Sequence, residues 1–104
     1  MNHDYNQEAL ELHRLHKGKI GLATKIPLEN RDDLARAYTP GVAQVCREIA
    51  RDSLLAREYT LKRNTVAIIS DGSAILGLGN LGALAAIPVM EGKAAILKSF
   101  AGVD

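Results

Sequence analysis

The sequence predicts an α/β fold dominated by helix with a small sheet, and three observations predict it. Apolar residues recur at helical spacing through the N-terminal and middle stretches; the β-branched run Thr65-Val66-Ala67-Ile68-Ile69-Ser70 is bounded by Asp71-Gly72; and an alanine-rich apolar segment follows the glycine turn Gly77 to Gly82. In chain order, Asp4 followed by Gln7 fits a capping box. Tyr5, Ala9, Leu12 and Leu15 then continue a helix over about 5–17, stopped at Lys17-Gly18. Lys19 to Ile26 is a short mixed segment ending at Pro27, an edge strand or an extended loop. Asn30 caps a short helix that must end near Tyr38, because Thr39 precedes Pro40 and is pushed out of the α region. Thr39-Pro40 supplies the cap and first-turn proline of a third helix over about 40–51, whose apolar stripe is Val42, Val45, Cys46, Ile49 and Ala50. Ser53 can cap a further turn. Thr65 to Ser70 reads as a buried strand, and Pro88 as the start of a final helix running to about Ala101.

Composition narrows the function. The chain has 104 residues, 47% hydrophobic and 24% charged, which is globular in character but too short for a two-lobed enzyme. Thirteen Lys and Arg oppose twelve Asp and Glu along the whole chain, so no basic stripe suits nucleic acid. The run Gly72 to Met90 is uncharged but broken by glycines and Pro88, which argues against a membrane span. A single cysteine, Cys46, excludes a disulfide framework, and with no charged-then-apolar leader the expected compartment is cytoplasmic. Aromatic residues make up only 4%, so the core must be aliphatic.

Few residues stand out as chemical. At about 100° per residue from Val89, Phe100 falls near 20°, Ile96 near 340° and Lys93 near 40°, in the middle of an apolar face. A lysine there either snorkels its ammonium outward or sits desolvated, as a general base requires. Tyr38 is a rim residue with a satisfied hydroxyl or, beside a cation or base, an acid. Gly77-x-Gly79-x-x-Gly82 formally matches a dinucleotide fingerprint. However, the strand ends six residues before Gly77, and only Glu91 and the last residue, Asp104, follow as acids. Its amides could meet an anion, or its glycines could permit close packing. His13 and His16 share a helix face without a third metal ligand, and Cys46 reads as a core residue.

Three segments in series carry a resemblance: Tyr38-Thr39-Pro40-Gly41-Val42-Ala43, then Ser70-Asp71-Gly72-Ser73-Ala74-Ile75-Leu76-Gly77-Leu78-Gly79-Asn80-Leu81-Gly82, then Ile87-Pro88-Val89-Met90-Glu91-Gly92-Lys93. The sequence resembles the N-terminal part of the shorter prokaryotic malic enzymes over nearly its whole length. The resemblance implies oxidative decarboxylation of malate to pyruvate and CO2 with NAD or NADP and Mg²⁺ or Mn²⁺, in a homodimer. It implies that Tyr38 is the general acid and Lys93 the general base, with Gly77 and Leu78 beside Lys93 at the substrate. Lys93 would take the malate hydroxyl proton as hydride leaves for the nicotinamide. The metal would stabilise the enolate, and Tyr38 would protonate the enol carbon. Longer malic enzymes carry arginine and aspartate where this chain has Ala74 and Asn80, so the arginine that helps hold the substrate carboxylate there has no counterpart. The resemblance puts the nicotinamide domain and the metal-binding acids beyond these 104 residues, so neither cofactor nor metal is expected on this chain alone. Two other readings are a helical self-association module without catalysis and a small nucleotide-binding module using Gly77 to Gly82.

Overall fold

The computed structural model describes residues 2–104. Five α-helices order the chain: α1 Tyr5–His16, α2 Arg31–Ala37, α3 Val42–Arg51, α4 Ala56–Tyr59 and α5 Ala83–Ala101. Two 3₁₀ turns, Ser53–Leu55 and Leu61–Arg63, flank α4. The described residues contain no strand, so the expected small sheet is absent and the domain is mostly helical. Thr65 to Ser70 is extended without a ladder, and Ile69 is 90% exposed, because no second extended segment pairs with it to bury its β-branched side chains.

The chain divides into two compact units. One combines the residues up to Gly21 with Val66–Asp104; the other is Leu22–Thr65. In the first, the Asp4 carboxylate accepts from the Gln7 backbone N–H at 3.1 Å, but the Gln7 side chain donates forward to Glu11 at 3.3 Å, so only the N-cap half of the expected capping box forms; α1 ends on Lys17 in the left-handed region. The buried core of this unit is small, with Ile75 6% and Ala86 2% exposed. Residues 70–82 form a compact loop whose ends meet, with the Leu81 N–H bonded to the Gly72 carbonyl and the Gly72 backbone packed on Gly82.

α5 differs from expectation in two respects. It is continuous through Pro88, which therefore lies inside the helix and does not open it. Proline there removes only the bond to the Leu84 carbonyl, at a cost of about 3 kcal/mol, and the turns on either side continue. The covered side of α5 also coincides only in part with the predicted apolar face. Its covered arc carries Ala86, Met90, Ala94 and Leu97, about 60–140° round from Val89, while Ile96, Lys93 and Phe100 are exposed. Lys93 is therefore not buried within this chain.

In the second unit, Asn30 caps α2 by accepting from the Asp33 N–H at 2.8 Å, as expected. α3 begins two residues later than predicted, with Gly41 as its cap residue, and the Thr39–Pro40 peptide is cis. Asp52, not Ser53, caps the next turn, accepting from the Leu54 N–H at 3.1 Å. Val42, Val45 and Ile49 are half-buried as the stripe predicts, but Cys46 and Ala50 are exposed, because nothing in the unit covers that edge of α3.

Leu22, Ile69, Leu84, Leu76 and Phe100 are all at least three-quarters exposed. Apolar surface left uncovered on this scale associates in water. The isolated chain is expected to sediment as dimers or larger species at tens of micromolar, where even modest interfaces populate. A clean monomer at that concentration counts against this.

Candidate active site

Tyr38 is fixed by backbone on both sides. It is the C-cap of α2, its N–H donating to the Leu34 carbonyl at 2.8 Å and its carbonyl accepting from the Val42 N–H at 2.7 Å, so one residue joins the end of α2 to the start of α3. Its side chain is 66% exposed. The Asp33 carboxylate steadies the same helix, accepting from the Glu29 N–H at 3.1 Å and pairing with Arg36 at 2.9 Å. The Glu29 amide, with Arg36 adding to it, holds that carboxyl below its ordinary value.

Lys93 stands on the exposed side of α5, in the other unit. Two residues earlier, the half-buried Glu91 accepts from the Lys19 backbone N–H at 2.7 Å. This bond, with further support from Ile20, keeps the Glu91 carboxyl below its usual value. Because the folded value is lowered, the stabilisation is present above the ordinary carboxylate range and is lost as pH falls through the lowered value. His13 sits next to this turn: its Nδ1–H donates to the Ala9 carbonyl at 2.6 Å, and its Nε2 accepts from the Lys19 ammonium at 2.5 Å. Both ring nitrogens are thus engaged. The described residues contain no group of three or more His, Cys, Asp or Glu able to hold a metal.

Gly77 and Leu78 lie on an exposed turn, Ile75-Leu76-Gly77-Leu78, closed by the Leu78 N–H on the Ile75 carbonyl at 2.6 Å, with positive φ at Leu76 and Gly77. The loop consumes several of its own amides. The Ile75 N–H bonds the Gly79 carbonyl, the Leu81 N–H the Gly72 carbonyl, and the Gly82 N–H the Asn80 side chain. The Asp71 carboxylate accepts from the Ser73 N–H at 2.9 Å, and the Ser73 hydroxyl then its amide hold that carboxyl low. A pyrophosphate cradle needs amides straight after a strand, and among the described residues no strand precedes this loop. Gly77, Gly79 and Gly82 have positive φ and open space where a Cβ would stand, so these glycines serve left-handed backbone and not close packing.

Residue-level reading of the sequence missed two positions. Glu91 registered only as an acid following the glycine loop and a member of the third motif, and Gly72 only as the end of a strand.

Residues 17–104 match the family of the malic enzyme N-terminal domain. The chain belongs to the malic enzyme family. It is 62% identical over 87 residues to an NAD-dependent malic enzyme of Geobacillus stearothermophilus, covering 84% of this chain and 18% of that protein. It is 51% identical over 105 residues to an NADP-dependent malic enzyme of Salmonella typhimurium, covering 100% of this chain and 14% of that one. The crystal structure of a malic enzyme from Pyrococcus horikoshii superposes with a TM-score of 0.91 at 55% identity, covering 96% of this chain and 24% of the other. The chain thus spans a quarter or less of the length of these malic enzymes. Among the described residues, no helix is long and apolar enough to cross a membrane.

Proposed function

We propose that this chain is the N-terminal catalytic and dimerisation segment of a malic enzyme that converts malate to pyruvate and CO2 with NAD or NADP and a divalent cation. It supplies Lys93 as general base and Tyr38 as general acid, with Gly77 and Leu78 at the substrate. The observation that carries this reading is that all three motifs, from Tyr38 through Lys93, lie in order inside the span that matches the family. The nicotinamide would serve as hydride acceptor and the cation as a counter-charge. What remains to these residues is proton transfer. Lys93 takes the proton of the malate hydroxyl, and Tyr38 delivers one to the enol carbon of the product. A lysine acts as a base only when neutral, so the substrate and the rest of the enzyme must cover the exposed side of α5. A lone exposed Cys46 suits a reducing compartment such as the cytoplasm.

The test is Tyr38→Phe in the full-length enzyme. Pyruvate formation is expected to fall by about 10²–10⁴-fold, the usual contribution of a positioned acid. Because the ring is mostly exposed, stability should stay within about 0.5 kcal/mol. Pyruvate production at the unaltered rate removes Tyr38 from the acid role. The uncovered apolar side chains favour a second reading, a self-associating module without catalysis, and that reading predicts no loss at all.

A further inference from the structure

We propose that Glu91 is a positioning residue, whose carboxylate is clasped by the turn after α1 so that α5 presents Lys93 at a fixed place. The inference rests on Lys93 acting as the base. The clasp joins segments 72 residues apart in sequence. Its first component is the bond from the Lys19 N–H to Glu91 Oε1 at 2.7 Å, a charge-assisted bond to backbone and therefore not subject to a flexible donor side chain. Its second is contact. Gly18 has φ +101°, and a Cβ there would lie 2.7 Å from Oε1 and 3.2 Å from Oε2, so the turn presses its bare backbone on the carboxylate. Gly92, between Glu91 and Lys93, lies against the same turn, where an added Cβ would meet Lys19 Cε at 3.7 Å. Glu91 and Lys93 leave α5 about 200° apart. The clasp therefore holds one side of the helix while Lys93 stays open on the other. Fixing a helix at the turn that bears a reacting group sets that group's position, and a misplacement of about 1 Å can cost about 100-fold in rate.

The experiment uses a full-length malic enzyme carrying this segment. Glu91→Ala is expected to lower kcat by about 10- to 100-fold with KM for malate within about 3-fold, because the base is displaced while the substrate still binds. Glu91→Gln, whose amide oxygen still accepts from Lys19, should keep kcat within about 3-fold of the parent. Gly18→Ala should lower kcat from the other side of the clasp, and should lower kcat little further once Glu91 is alanine, since the atoms its Cβ strikes are gone and only the backbone strain of φ +101° remains, which a stability measurement reads separately. If Glu91→Ala does not fold, Glu91→Asp, which keeps the charge but withdraws it by one methylene, carries the same expectation. The proposal is overturned by an unchanged kcat in the shortened variant, by losses from Gly18→Ala and Glu91→Ala that simply multiply, or by a kcat loss that Glu91→Gln reproduces in full. Lys93→Met serves as the reference. If it is inactive while Glu91→Ala is fully active, positioning alone fails; if Lys93→Met itself turns over malate normally, the base assignment fails and this inference with it.

Discussion

Lys93→Met in the full-length enzyme is expected to reduce malate oxidation by about 10²–10⁴-fold, the range over which removal of a general base is felt. The structure makes this substitution clean. Lys93 is exposed on α5, so its replacement breaks no core, and Met keeps the unbranched stem and the helix propensity of lysine. Stability should change by no more than about 0.5 kcal/mol, as for surface substitutions generally. Lys93→Arg separates two reasons for a loss. Arginine keeps the positive charge but cannot give up its proton at accessible pH, so a base is lost while a simple charge contact is kept. Both variants should be inactive if Lys93 moves a proton, and only the Met variant if Lys93 merely attracts the substrate carboxylates. Substantial turnover by Lys93→Met removes the residue from either role.

Gly72→Ala should be the most damaging single methyl in this chain. Gly72 has φ +74°, and a Cβ there would lie 2.0 Å from the Gly82 carbonyl oxygen, 2.3 Å from its carbon and 2.8 Å from the Ala83 nitrogen. All three are backbone atoms at the entry to α5, so no side chain can swing aside. Either the loop opens, giving up the bond from the Leu81 N–H to the Gly72 carbonyl, or α5 shifts. A loss of at least about 3 kcal/mol is expected, combining left-handed strain on alanine of about 1–2 kcal/mol with the overlap. Gly77→Ala is the control. It has a similar φ of +78° but nothing within 4 Å of its added Cβ, so only the strain remains. Urea unfolding of the full-length enzyme and proteolysis within residues 70–82 read the difference. Equal destabilisation by the two variants shows that the overlap at Gly72 is relieved at no cost.

The features legible in the sequence were the local ones. Asp4, Asn30 and the stop at Lys17 follow from hydrogen bonds and backbone angles that close within about three residues, so neighbouring residues alone specify them. Family membership was legible for a different reason: three motifs with fixed internal spacing lie in one order along the chain. Tertiary structure decided the rest. A strand exists only if another segment offers it a ladder, and Thr65 to Ser70 finds none, however suitable its side chains. Helical periodicity gives the faces of α5 but not which of them turns inward. In the structure Ala86 is the buried residue of α5, with Met90, Ala94 and Leu97 half-buried beside it, and Lys93 stands outside. Glu91 and Gly72 owe their roles to atoms 72 and 10 residues away, Lys19 and Gly82. Such contacts are set by how the chain folds back on itself, and residue types and spacings along it carry no record of them.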